Sequence, residues 1–143
     1  MALVTSAGTE TLHSAHFQYV TDTETTLILG EAHHIYTVLS IIVFGNDIGN
    51  AAPQRLKLSI LGYDSTGSGD SAEYIHIAGA IMDTNATWVW NDKFSFNGDE
   101  PSSNTQAARA AQASGTAQKL VAQSTTASNK YDITITYIDQ NNS

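Results

Sequence analysis

Apolar and polar residues alternate along most of this chain, with the period of two that is typical of half-buried β-strands. The alternation is clearest in ATWVWNDKFSFNGDE, where Trp88, Trp90, Phe94 and Phe96 all fall on one parity. Most of the residues between these aromatics are polar. The pattern therefore predicts β-structure here, with the aromatic side chains on one face.

The aromatic stretch contains a turn signal at its centre. Asn91 and Asp92 separate the tryptophans from the phenylalanines, and both residue types favour turns. We therefore expect an aromatic hairpin, two short strands joined by a tight corner. Its shared parity favours burial of Trp88 and Trp90 in the core; the alternative is an exposed platform that stacks on sugar rings.

Other strand-like windows recur along the chain, with turn residues between them. They cover residues 12–20, 25–29, 35–44, 55–63, 74–82, 116–124 and 131–138. About eight short strands at this spacing predict an all-β fold, a two-sheet antiparallel β-sandwich or jelly roll. We expect one domain over residues 1–143. Residues 1–11 are expected to form an N-terminal arm and residues 140–143 a polar tail, each able to add a strand to a neighbour's sheet.

A long insertion, residues 99–115, interrupts the strand pattern. Its segment TQAARAAQA, residues 105–113, consists largely of good helix formers. A helix of this length is unstable unless it is packed. We expect an ordered Ala-rich loop with a short helix of one or two turns.

The window of residues 35–44 is apolar at both parities. A strand of a two-sheet sandwich needs only one apolar face, so the second face must also be covered. Either the N-terminal arm or the insertion covers it, or it is a subunit interface, because obligate interfaces resemble a core cut in half. The residues of this candidate oligomer interface are Val38, Ile42 and Phe44.

Composition and charge exclude several classes of partner. Charged residues make up 14% of the 143 residues, and the net charge is −8. A chain this acidic does not attract nucleic acid or anionic membranes, because phosphate binding needs clustered Lys and Arg. No cysteine is present, which excludes disulfides and Cys-type zinc sites. The first residues have neither the basic region nor the apolar run of a signal peptide, so we expect synthesis in a host cytoplasm without export.

Candidate catalytic and metal-binding residues are few. His33 and His34 are adjacent, so in a strand they point to opposite faces and cannot share a metal. The acidic loop of residues 64–73 could offer oxygen ligands to calcium, but its Gly and Ser content favours a solvated tip. The chain contains no GxSxG motif. We expect no catalytic residue, no metal and no cofactor.

Four runs of sequence carry a resemblance to a known group of proteins. IYTVLSIIVFGND, RLKLSILGYD, IMDTNATWVWNDKFSFNGDE and QKLVAQSTTASNKYDITITYID resemble small accessory structural proteins of tailed bacteriophages, including marine cyanophages. The matching residues are 37–46, 87–99, 119–124 and 131–139 within roughly residues 35–140. The resemblance implies a virion component, often a trimer, that decorates head, neck or tail and has no active site. The chain departs from the group in its Ala-rich insertion, where we expect a subunit contact.

The sequence therefore predicts a structural protein of the phage particle, a homo-oligomer that binds capsid, neck or tail proteins. The competing hypothesis is a carbohydrate-binding module that recognises a host-surface glycan through Trp88 and Trp90. A small enzyme would instead need a convergent pocket of polar groups, which we do not expect.

Overall fold

The computed structural model describes residues 9–49, 55–64, 71–101, 107 and 115–141. Alternating windows rich in β-branched and aromatic residues form strands throughout, as pleated sheets favour. The strands are β1 (Thr9–Val20), β2 (Thr25–Leu29), β3 (His34–Asp47), β4 (Arg55–Asp64), β5 (Ser71–Ile81), β6 (Thr87–Trp90), β7 (Phe94–Asn97), β8 (Asp99–Pro101), β9 (Gly115–Ala117), β10 (Lys119–Ser124) and β11 (Lys130–Asn141).

Two antiparallel sheets form the fold. The first has the order β1-β11-β3-β6, with β7 also paired to β3, and the second has the order β2-β10-β4-β5. If β6 and β7 count as one strand and the small β8–β9 hairpin is set aside, eight strands remain, with β10 as the seventh and β11 as the eighth. Numbered in this way, the two sheets have the orders 1-8-3-6 and 2-7-4-5. Eight strands connected in this way make a jelly roll. The predicted two-sheet antiparallel sandwich is therefore confirmed.

The core lies between the two sheets and is built from their central strands. Ile41 of β3 and Ile135 of β11 are fully buried on one side, and Leu56 of β4 and Leu120 of β10 are fully buried on the other. Each such side chain contributes roughly 1.5–3 kcal/mol when it leaves water. The polar residues between them point away from the core, which is why the alternation in the sequence predicts the sheets.

The prediction of an aromatic hairpin is wrong, although both of its predicted strands are present. β6 pairs with the second half of β3, from Trp90 opposite Ile41 to Thr87 opposite Phe44. β7 pairs with the first half of the same strand, with Phe94 opposite Val38. Both run antiparallel to β3, so they are consecutive parts of one interrupted edge strand.

Asn91 and Asp92 therefore do not reverse the chain at a corner. The interruption lies opposite an extra residue of β3, Leu39, at which the register between β3 and β11 shifts. A bulge in one strand prevents an unbroken ladder with a straight neighbour. The loop is held by the indole Nε1 of Trp90, which donates to the carbonyl oxygen of Asp92 over 2.6 Å.

The expected arm and tail are partly incorporated into the chain's own sheet. Thr9 pairs with Asn141 and Thr11 pairs with Asp139, so the described end of the arm belongs to β1. Gln140 of the expected tail also pairs with Ile35 of β3. Residues 1–8 and 142–143 lie outside the described residues.

The insertion begins and ends in the β8–β9 hairpin, in which Asp99 pairs with Ala117 and Pro101 with Gly115. The predicted helical segment, residues 105–113, lies outside the described residues except for Ala107. Residues 65–70, which include most of the predicted acidic loop, also lie outside them. No helix within the described part of the chain is long and apolar enough to cross a membrane.

Backbones cross very closely where the turn after β2 meets the link between β7 and β8. The Gly98 amide donates to the carbonyl of His34 over 2.9 Å, and the Gly98 carbonyl accepts from the amide of Gln118 over 3.0 Å. A Cβ atom on Gly98 would lie 2.1 Å from the carbonyl oxygen of Glu31. Only glycine fits this crossing, which joins the two sheets at one end of the sandwich.

The crossing predicts a stability effect for Gly98→Ala. The added methyl must push the Glu31 backbone away, and overpacking of this kind lowers the free energy of unfolding by about 3 kcal/mol. Gly79→Ala is the matched control, because its Cβ would meet nothing closer than the Leu56 carbonyl at 4.0 Å. Equilibrium urea unfolding should separate the two variants, and equal midpoints would contradict the proposed clash.

Candidate functional site

The bulge at Leu39 decides which residues of β3 face outwards. Before it, Tyr36 and Val38 face the core, and after it Ile41 and Val43 do so. The inward parity changes because Val38 pairs with Tyr137, whereas Ser40, two residues further, pairs with Thr136. One extra residue thus reverses the alternation in the middle of the strand.

The predicted interface of Val38, Ile42 and Phe44 is therefore corrected. Val38 is 0% exposed and belongs to the core of the single chain, because the bulge separates its face from that of the other two. The doubly apolar window arises partly from this change of parity. It does not describe one strand with two complete apolar faces.

An apolar cluster on the outer face of the sheet, which we call the outer patch, consists of Ile42, Phe44 and Val89. Ile42 is 41% exposed and Val89 54% exposed, and the two are directly opposite in the ladder between β3 and β6. Phe44 is half-buried and pairs with Thr87. The sequence reasoning missed Val89, although it is a β-branched apolar residue at a parity otherwise occupied by polar side chains.

Ordered polar side chains border the outer patch. Thr134 of β11 is opposite Ile42, and its hydroxyl lies 3.1 Å from the Nδ1 atom of His16. Beyond Phe44, the Asp132 carboxylate accepts from the side-chain amide of Asn46 over 2.8 Å. An apolar centre with a hydrogen-bonded polar rim is the usual anatomy of a protein–protein contact.

The tryptophans lie on the opposite, inner side of the same edge strand. Trp88 pairs with Val43 and Trp90 with Ile41, and directly opposite residues of a ladder share a face. Both rings are half-buried against the core. The Trp90 ring meets that of Phe94 edge-on, with centroids 6.2 Å apart. The tryptophans thus pack against the core at the rim of the sandwich and form no platform on its outer face.

This packing predicts that Trp90 stabilises the fold. Trp90→Ala removes a half-buried ring and should lower the free energy of unfolding by about 2–3 kcal/mol, somewhat less than for a fully buried tryptophan. Equilibrium urea unfolding followed by circular dichroism gives the value, with Val89→Ala as the control on the exposed side of the same strand. A loss for Trp90→Ala no larger than for the control would favour an exposed sugar platform instead.

A second polar cluster connects the start of β3 with the end of β11. The Nδ1 atom of His34 lies 2.7 Å from the Asp139 carboxylate, and its Nε2 atom lies 3.5 Å from that of Glu31. The backbone amide of Glu31 donates to the Tyr36 hydroxyl over 3.1 Å. The imidazole is held between two carboxylates, so the cluster anchors the turn before β3. Burial, with a smaller contribution from the Asp139 charge, raises the pKa of Tyr36 to about 12.

The raised pKa of Tyr36 predicts a loss of stability in alkali. The folded protein favours the neutral phenol, so this contribution is complete below pH 10 and is lost as the pH rises towards about 12. Tyr36→Phe should lower the free energy of unfolding at pH 7 by about 1 kcal/mol through the lost hydrogen bond. Tyr36→Phe should also make the free energy of unfolding fall less steeply above pH 10. Urea unfolding between pH 7 and 11 tests this, with Tyr19→Phe at an exposed tyrosine as the control. A free energy of unfolding that falls as steeply in Tyr36→Phe as in the wild type would contradict the role of Tyr36.

The other candidate residues are dispersed. His33 is exposed, and His76 lies on β5, where its Nδ1 atom is 2.6 Å from the hydroxyl of Ser59. Ser59 is only 3% exposed, so this pair ties β4 to β5 and does not present a nucleophile. Within the described ranges, no three His, Asp or Glu side chains are grouped so as to hold a metal.

A shallow cavity of 340 Å³ lies where β7 approaches the start of β10. Ile35, Phe96 and the side-chain amide of Gln118 line it together with two further residues of β7. The Gln118 amide is engaged, because its Nε2 atom donates to the carbonyl oxygen of Asn97 over 3.0 Å. The Gln118 side chain in this cavity therefore links β7 of one sheet to the residues that precede β10 of the other.

Comparison with known proteins assigns neither a family nor a function to this chain. No protein-family model matches the chain, and no curated protein matches it. A structure of Bacillus endospore appendages, a family of disulfide-linked pili, is 12% identical over 100% of this chain and 97% of that chain, with a TM-score of 0.48. The infectious bursal disease virus Gx strain contains a chain that is 7% identical, with a TM-score of 0.47, and the match covers 92% of this chain and 32% of the viral one.

A third similar structure is the CBM22-1 xylan-binding domain of Xyn10C from Paenibacillus barcinonensis. It is 16% identical over 92% of this chain and 85% of that domain, with a TM-score of 0.44. The three structures are a pilus, a virus and a carbohydrate-binding domain. At these identities and TM-scores the likeness assigns no function, which depends on the chain's own surfaces.

Proposed function

We propose that this protein is a structural component of a tailed-phage particle that assembles with copies of itself, as a trimer, on the capsid, neck or tail. The observation that carries the proposal is the outer patch. Ile42 and Val89 are adjacent aliphatic side chains exposed on the outer face of the five-stranded sheet, on its edge strand β6 and the neighbouring strand β3. Their burial between subunits would remove apolar surface from water, which is the main driving force of association.

The resemblance to accessory phage proteins supports the location on a particle. Its matching segments include the β3, β6–β7 and β11 strands, which together with β1 form the sheet that bears the outer patch. The polar rim supports a specific contact, because hydrogen-bonded hydroxyls and carboxylates fix the orientation of an apolar centre. The inward orientation of Trp88 and Trp90 favours this function over glycan recognition.

The outer patch predicts the behaviour of Ile42→Asp. A carboxylate at this position would be buried without a partner in the subunit contact, so the assembled mass should fall below that of the wild type. The fold should persist, because the side chain is exposed in the single chain. Light scattering at micromolar concentration measures the mass, and circular dichroism measures the fold.

Ile81→Asp is the matched control, since Ile81 is 59% exposed on the other sheet and should assemble like the wild type. A wild-type protein that runs as a 15.3 kDa monomer would overturn self-assembly. Glycan-array binding by that monomer, lost in Trp88→Ala, would favour the carbohydrate-binding hypothesis. The particle location is tested separately by mass spectrometry of purified virions, and the absence of the chain from them would overturn that location.

A further inference from the structure

The sandwich has four edges, and three of them carry features that oppose pairing with another strand. β2 has only five residues. The β6–β7 edge is interrupted for three residues that include Lys93. β5 contains a bulge at Ile77, because Ala78 pairs with Leu58 while His76 pairs with the next residue of β4. Short, interrupted, charged or bulged edges are the usual protection against edge-to-edge association.

The remaining edge, β1, has none of these features over most of its length. Its register with β11 is regular over nine residues, from Thr9 opposite Asn141 to Phe17 opposite Ile133. The strand TETLHSAHFQYV contains neither lysine nor proline. No other described strand pairs with its outer side. Leu12, at 67% exposure, is the most exposed large apolar side chain among the described residues.

We propose that β1 pairs antiparallel with β1 of a second copy, across a two-fold axis at His13, to join two sheets into one. This inference rests on the self-assembly of the proposed function and names a second contact for it. The occupant is a second copy because the edge is complementary to itself. Pairing of Thr9–Phe17 over its full length places its middle residue, His13, on the axis.

The polar side chains of β1 agree with this register. In an antiparallel pair centred on His13, Glu10 is opposite His16 of the partner subunit, and the same pair recurs on the other side of the axis. Both residues lie on the outer face, since Glu10 pairs with Gln140 and His16 with Thr134 of β11. An imidazole N–H of His16 can donate to the Glu10 carboxylate of the other copy, and complementary pairs directly across a ladder stabilise it.

The same register also covers the exposed leucine. Leu12 falls opposite Ser14 of the partner subunit, so the two Leu12 side chains become diagonal neighbours about 7–8 Å apart on the outer face. Thr11 and Ala15 face the inner side, where they are opposite each other. The contact thus joins two backbone edges and places complementary polar side chains and apolar surface beside each other.

A two-fold contact at β1 and a contact at the outer patch are separate surfaces of the same sheet. β1 is one edge strand, whereas Ile42 and Val89 lie on β3 and β6 at the other side. A three-fold patch contact combined with a two-fold edge contact generates assemblies larger than a trimer. The two contacts can therefore be removed independently.

The first test blocks the edge with Thr11→Lys. A lysine on the inner side of an edge strand opposes pairing with another sheet, and Asp139 of the same chain lies opposite to it, which preserves the fold. In the Ile42→Asp background, we expect a dimer that Thr11→Lys converts into the 15.3 kDa monomer. Thr23→Lys, in the exposed turn after β1, is the matched control and should leave the dimer intact.

The second test changes both members of the proposed Glu10–His16 pair. Glu10→Lys should weaken dimerisation of the Ile42→Asp protein about tenfold, because each of its two pairs loses complementarity. Adding His16→Glu should restore the wild-type affinity to within about threefold, since positions 10 and 16 then again carry complementary side chains. Sedimentation at graded concentrations measures both. A double variant as weak as Glu10→Lys would overturn the register.

Hydrogen exchange gives a readout of the backbone itself. Alternate amides of Thr9–Phe17 that face away from β11 should exchange slowly in the dimer and rapidly in the Thr11→Lys monomer. A monomeric Ile42→Asp protein beside an oligomeric wild type would overturn the edge contact and leave self-assembly intact. A monomeric wild type would overturn both. An unchanged dimer in Thr11→Lys, with the same β1 exchange, would also overturn the edge contact.

Discussion

The extra residue at Leu39 is the constraint on which the rest of this sandwich depends. It shifts the register between β3 and β11, and it lies opposite the break between β6 and β7. Without it, either Val38 or Ile41 would face away from the core, and a fully buried aliphatic side chain would be lost from one half of the strand. The bulge lets both halves of β3 bury their apolar residues although their parities differ.

The same bulge explains where the sequence predicts the structure and where it does not. Strict alternation in Ile133 and Ile135 predicts β11 and its buried face correctly, because the register there follows the period of two. In β3 the alternation changes parity, and periodicity alone reads such a change as two apolar faces. Periodicity therefore places Val38 and Ile42 on one surface, although only Ile42 is exposed.

The aromatic stretch shows a related limit of local reasoning. The alternation continues through Asn91 and Asp92, so the sequence predicts correctly that Trp88, Trp90, Phe94 and Phe96 share one face. Whether those two residues reverse the chain depends on what lies beside them, and the partner is β3, some fifty residues earlier. Turn propensity is local, whereas the choice between a corner and a break in an edge strand is made by pairing with a distant strand.

The edges and faces of the sandwich lead to a consistent division of roles. The inner faces of the two sheets form the core, and the Gly98 crossing holds the sheets together at one end. The five-stranded sheet alone combines an exposed aliphatic pair on its face with a long regular edge. The two long central strands of this sheet, β11 and β3, hold β1 and β6 in place through their ladders. Because the same central strands position the outer patch and β1, the two proposed assembly contacts lie on one sheet.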